Sequence, residues 1–485
     1  MRIISGSRIR RYTALVGIFL IAATLITGMF GCAPPPPPIP IPIGDWYDLD
    51  SVRHDLDGSY LLVNDLDSTT PGYEELAGPN ANKTPPWEPG KGWEPIGTRY
   101  EPFTGRFDGQ EYEIRDLSIN RTDTDEDPVG LFCAVDEGGR IENIGILNAT
   151  VTGFLSVGGL VGENRGTVSN CFATGNISGR AFVGGLVGIS VGTVTNCYCS
   201  SNVTARADVG GLVGTISISY GTVSGSYAEG SVTGIRNVGG LVGQNCGTVS
   251  NCYATGNITG DEDIGGLVGR NWGRGDEAYV SNSHSTGDVN GDEHIGGLVG
   301  RNTYCTVSDS YSIGSVSGNL SVGGLVGWNE YTVSNCYATG DVTGDWDVGG
   351  LVGRNWNGTV SDSYSIGDVT GDESVGGLVG DNAYGTVSDS YSRGNVAGNS
   401  SVGGLVGWWN PNYGAVSNSF WDTQTSGQAT SAGGTGKTTA QMKSITTFSG
   451  VGWNIIGVDN PGIRNSSYIW NIVDDETYPL LSWQL

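Results

Sequence analysis

Val238 to Gly260 reads V-G-G-L-V-G-Q-N-C-G-T-V-S-N-C-Y-A-T-G-N-I-T-G, and its G-G-L-V-G occurs ten times in the 485-residue chain. The copies open at Gly158, Gly184, Gly210, Gly239, Gly265, Gly296, Gly323, Gly349, Gly376 and Gly403, at spacings of 26 to 31 residues. A unit this short cannot bury its own apolar face, so consecutive copies must stack on one another. Each copy holds three apolar segments of strand length, V-G-G-L-V-G, T-V-S-N-C-Y and N-[VI]-T-G, separated by Gly, Asn or Asp. A helix would need about ten residues of unbroken 3.6 periodicity, which these glycines forbid. The pattern predicts an all-β fold: a right-handed parallel β-helix (β-solenoid) of about eleven coils of 26–31 residues, with N- and C-terminal caps. At about 4.8 Å per coil the rod would be roughly 53 Å long.

In such a coil equivalent residues stack into columns. The Val of T-V-S, from Val168 to Val416, is the inward candidate. An aromatic column runs Phe172, Tyr198, Tyr227, Tyr253, His284, Tyr311, Tyr337, Tyr364, Tyr391 and Phe420. Regular strand alternation would place Val168, Asn170 and Phe172 on one face. A second Asn column (Asn164, Asn245, Asn271, Asn302, Asn329, Asn355 and Asn382) follows L-V-G and is expected to bond to turn backbone. Cys171, Cys197, Cys252 and Cys336 share one position with Ser in other coils, which indicates small buried thiols rather than metal ligands. Only Cys171 and Cys197 lie in adjacent coils, and a disulfide there stays open.

Outside the repeats the chain divides into a signal peptide (1–31), a Pro-rich tether (32–43), an N-terminal cap with the first coils (44–127), the solenoid (128–421) and a C-terminal cap (422–485). Val129-Gly130-Leu131-Phe132 is a degenerate copy, segments 103–109 and 113–117 read as lead-in strands, and 439–445 as one short helix. Arg8, Arg10 and Arg11, the apolar run Thr13 to Phe30 and Gly31-Cys32 resemble a bacterial lipoprotein signal, with Cys32 as the lipidated residue. Met29 and Phe30 depart from that pattern, and an uncleaved membrane anchor is the alternative. Both readings export the chain and hold it at a membrane, on the cell surface. A formal charge of -26 excludes nucleic acid as a partner.

The repeat resembles the GLUG motif, named for G-L-V-G-type sequences in bacterial surface proteins and found beside the catalytic domain of IgA-cleaving metallopeptidases. The resemblance spans residues 128–421 and implies a cell-surface β-solenoid without implying a chemistry. The peptidase phrase H-E-x-x-H is missing from the sequence, whose histidines are His54, His284 and His294. Ser431 to Thr438 reads S-A-G-G-T-G-K-T, one residue short of a P-loop and with no apolar strand before it, so it is expected to be a Gly-rich turn.

Two corners vary between coils. The corner before V-G-G carries Asp261, Glu262, Asp263, Asp292 and Glu293, where stacked carboxylates would repel and calcium could relieve them; a solvated acidic turn is the alternative. The corner after L-V-G carries Arg270, Trp272, Arg301, Trp328, Arg354, Trp356, Trp408 and Trp409, and the two longest coils expand here. Exposed Trp and Arg can stack on sugar rings or anchor a protein, so this edge is the candidate ligand-binding face for a surface glycan or protein. The function expected is adhesion, ligand binding or envelope structure without catalysis. The competing function is a carbohydrate-active enzyme, a lyase or hydrolase, for which Glu74, Glu75, Asp108 and Glu111 are the least repetitive acids.

Overall fold

The structure is a computed structural model, and it describes residues 39–83, 90–122, 128–217, 219–273 and 278–484. The leader (1–31), Cys32 and most of the tether lie outside the described residues. The rest is a right-handed parallel β-solenoid of about eleven turns. Its T-V-S strands form a 14-stranded parallel sheet, the V-G-x-N strands an 11-stranded sheet and the x-x-V-G strands a 10-stranded sheet. The Y-A and V-T strands add two further ladders, which the long strands Gly145–Gly153 and Phe172–Ser178 join into one sheet in the first coils.

Three segments per coil were expected, and five short ladders are found. V-G-G-L-V-G bends at its central G-L into two strands, as in Trp346–Gly349 and Val352–Asn355. T-V-S-N-C-Y breaks at its Asn or Asp, which sits in the left-handed region (Asn170 φ 53°, Asn335 φ 55°) that these residues tolerate best. The break overturns the expected parity. Val168 and Cys171 are fully buried, Asn170 is exposed and Phe172 is half-buried, so the aromatic column lies outside the core. There its rings lie flat on one another from Phe172 to Tyr391, at 4.6–5.2 Å and interplanar angles of 1–12°.

The inward columns are Val of T-V-S, Leu and Val of G-L-V, and the Cys/Ser position. Asn245, Asn271, Asn302, Asn329, Asn355 and Asn382 are fully buried too. Each amide up to Asn355 donates to the next carbonyl oxygen at 2.8–2.9 Å, and Asn355 and Asn382 also donate to the turn carbonyls of Gly358 and Gly385 at 3.1 Å. A satisfied amide column costs little to bury and sets the coil register. All eight described cysteines are free, so Cys171 and Cys197 are not bridged; their thiols donate to strand carbonyls, Ser169 O for Cys171 and Thr195 O for Cys197.

Both ends differ from their expected boundaries. Ile41–Ile43, assigned to the tether, is the first strand of the T-V-S sheet and pairs with Ser59–Leu62. Arg106–Asp108 follows in the same sheet, and Trp46, its ring tilted against those of Tyr73 and Trp93, is fully buried at this end. At the other end Phe420–Asp422 and Thr435–Lys437 prolong the aromatic ladder. The single helix expected there is two, Thr439–Met442 and Ile445–Ser449. A three-stranded sheet then folds back along the aromatic face, bringing Trp470 to Tyr364 and Tyr391 and Trp483 to Tyr311 and Tyr337, all at 5.6–6.2 Å. Ser431 of the P-loop-like stretch bonds the backbone N–H groups of Leu405 and Val406, so it closes the coil stack rather than opening a phosphate cradle.

Candidate functional site

The glycines of V-G-G-L-V-G explain how a site forms. A Cβ on Gly349 would lie 2.0 Å from Val352 O and 2.7 Å from Gly380 N. A Cβ on Gly353 would lie 2.6 Å from the backbone of Ser321 and Val322. The two strands on either side of the bend therefore press backbone against backbone, and the coil folds inward in a notch that only glycine permits. Residues flanking this notch, one before V-G-G and one after L-V-G, end up side by side. The two corners that the sequence separates are one edge of the rod.

The residue before V-G is left-handed in all ten coils, from Ser156 to Ser401, with φ between 52° and 58°. Phe182, His294 and Ser321 hold this conformation as well as the more tolerant Asn and Asp. In three coils the side chain meets the column after L-V-G: Asp263 lies 4.0 Å from Arg270, Asp347 3.7 Å from Arg354, and the His294 ring packs edge-on against Trp328 at 4.9 Å. Arg301 and Arg354 lie 5.1 and 4.8 Å from the Trp328 ring, and Arg354 also lies 5.0 Å from Trp356. From Trp328 the rings step along the rod through Trp356 (6.5 Å), Tyr384 (4.5 Å) and Tyr413 (5.4 Å). Arg270 lies 5.8 Å from Trp272. Trp408 is exposed, whereas Trp409 takes the place of the buried Asn column, in register with Asn382, and is partly buried against the core.

Near the C-terminal end the edge deepens into a cleft of about 280 Å³, lined by Trp356, Tyr384 and Trp408, by Arg354, Asp381 and Ser374 beneath them, and by Asn410 and the exposed Glu373. Asp381 is 7% exposed, and its Oδ1 has no hydrogen-bond partner. Its Oδ2 lies 3.2 Å from Arg354 Nε, but that N–H makes no hydrogen bond either. Burial pushes the Asp381 carboxyl up to about 7, with repulsion from Asp347 adding and the Arg354 charge opposing. Asp381, Tyr384 and Tyr413 were not expected here. Setting the column after L-V-G in register, Arg354 to Asp381 to Trp408, is the signal that would have found Asp381.

The expected acidic set is only partly gathered. Glu262 and Asp263 come together with His294, their ligating atoms within 4.8 Å of one another. Glu262 already pairs with Arg236 at 3.0 Å, and Asp263 with His294 Nδ1 at 2.8 Å and Arg270 at 4.0 Å. Asp261 and Asp292 stack outside this group, each carbonyl accepting from the next coil (Asp292 N to Asp261 O, 3.0 Å). The mixed nitrogen and oxygen set is softer than the all-oxygen shell calcium prefers. Asp108 is 4% exposed; burial raises its pKa, but hydrogen bonds from Asn143 and Gln110 and the charge of Arg106 hold it below the usual carboxylate range. Glu75 bonds to Tyr47, and Glu74 lies in the same turn.

The model of the GLUG motif matches residues 155–178, 234–259, 291–317, 318–343 and 344–370. Those five stretches are GLUG-motif repeats. Among curated proteins, halomucin of Haloquadratum walsbyi is 36% identical over 126 residues, 24% of this chain and 1% of that one. A protein of Evansella cellulosilytica described as a Gly-rich membrane protein is 36% identical over 127 residues, 25% of this chain and 13% of that one. The chain thus spans a small fraction of either relative's length. Among solved structures, one described as an immunoglobulin A1 protease from Bacteroides ovatus gives a TM-score of 0.40 at 18% identity, covering 58% of this chain and 77% of that one. An IgA1 protease gives 0.33 at 17% identity, covering 67% and 22%.

Proposed function

We propose that this chain is an exported, membrane-tethered GLUG-repeat solenoid that acts at the cell surface by adhesion or ligand binding, without chemistry of its own. The observation that carries the reading is the notch edge. Ten coils repeat their core nearly unchanged, and along this edge the residues change from coil to coil. The names of the two relatives, halomucin and a Gly-rich membrane protein, favour a surface or membrane-associated location. The lipoprotein-like leader and Cys32 supply the tether. Treating intact cells with protease or an impermeant amine label tests the location: digestion or labelling is expected, and full protection until lysis would overturn the reading.

Calcium remains a smaller proposal at Glu262 and Asp263, with His294 beside them. Millimolar Ca²⁺ should then raise the melting temperature of the protein but not of its Asp263→Asn variant, and equal melting with calcium or chelator removes the idea. The enzymatic alternative would need reducing ends or unsaturated products released from a polysaccharide. The hydrogen-bonded, low-pKa state of Asp108 favours a structural role for that acid, since a general acid needs a raised pKa.

A further inference from the structure

We infer that the cleft between Trp356, Tyr384 and Trp408 is a subsite for a neutral sugar ring of a glycan chain that lies along the rod. The inference rests on the reading of the notch edge as a binding face and names what that face takes. Three features select the ligand. Two indoles and a phenol border one small cavity, and such rings offer flat faces to the apolar C–H side of a pyranose. The cleft, about 280 Å³, has the size at which small-ligand sites begin, at roughly 300 Å³. On its floor a buried acceptor, Asp381 Oδ1, and a buried donor, Arg354 Nε–H, both lack hydrogen bonds.

Buried polar groups are nearly always satisfied, so these two call for a ligand that both donates and accepts within a short span. Neighbouring hydroxyls of a sugar do so: one donates to the carboxylate and the other accepts from the guanidinium. Charge argues against an anionic glycan. The exposed Glu373, Asp347 beside Arg354 and the -26 of the whole chain would repel uronates. The aromatic steps toward Trp328 and Tyr413 extend the same surface on both sides, so a polymer would be held at more than one residue.

The test uses the full-length protein in detergent, with tryptophan fluorescence and calorimetry against chitotetraose, cellotetraose, mannotetraose and tetragalacturonate. At least one neutral tetrasaccharide is expected to bind, and Trp408→Ala and Asp381→Ala should each weaken it about tenfold or more. Trp408 is 41% exposed, so its variant should melt with the wild type and serves as the control for folding. Binding of no neutral probe, preference for tetragalacturonate, or undiminished binding by both variants overturns the subsite. If envelope proteins are captured through Trp408 while every sugar fails, the sugar is wrong and the binding face stands. If intact cells protect the chain from protease, the underlying reading fails instead.

Discussion

Two aromatic columns run along this rod, and they teach different things. The first, Phe172 to Phe420, is regular: every coil supplies an aromatic ring in the same place, and the last three are covered by the C-terminal cap. Stacking and covering account for it, so it reports on how the rod is built. The second, Trp328 to Tyr413 along the notch edge, is irregular. It mixes indoles, phenols, arginines and carboxylates, and at Asp381 and Arg354 it leaves polar atoms without a hydrogen bond. Packing explains the first column and leaves the second with unused capacity.

Substitutions can break this contrast. The largest effect is expected between the columns, in the notch itself: Gly350→Val would drive a Cβ to 2.1 Å from Gly377 O and should cost about 3 kcal/mol or more in urea unfolding. Truncating the exposed Trp346 should stay within about 0.5 kcal/mol. Within the regular column, Tyr364→Ala, buried under Trp470, should cost about 3–5 kcal/mol. Tyr227→Ala, half-buried and outside the cap contacts, should cost markedly less. Equal losses would show that stacking, not the cap, holds the column. Next comes Asn329→Ala, which strands its amide neighbours in the buried column and should cost about 1–3 kcal/mol.

A pH-dependent effect belongs to the irregular column. The Asp381 carboxyl is raised to about 7 in the fold against 3.8 for the free group. The fold therefore holds this proton more tightly than the unfolded chain does. The stability it contributes is complete below about pH 4 and is lost as the pH rises toward 7. Melting curves of the wild type and Asp381→Asn should diverge between about pH 4 and 7, with the variant gaining on the wild type at the alkaline end. Parallel curves would place Asp381 in an ordinary solvated environment and weaken the case for the cleft.

The period, the stacking of equivalent positions and the inward Val and Leu columns were legible in the chain because each coil repeats the same few residues and parallel pairing keeps them in line. The coil's internal geometry was not. A left-handed Asn or Asp between T-V-S and C-Y resets the alternation, so strand parity counted from Val168 placed the aromatic column inside when it lies outside. The same limit applied to the site. Arg354 and Trp408 were legible as unusual residues in a repeat, but Asp381 looked like one acid among fifty.

By itself the sequence determined that this is a β-solenoid with a variable edge, because periodicity is a property of the chain. Only the tertiary structure decided that the acidic corner and the Trp/Arg corner are one edge. The reason is local: glycine lets the strands on either side of each G-L bend press backbone to backbone. Side chains seven residues apart, such as Asp347 and Arg354, are thereby brought within 4 Å.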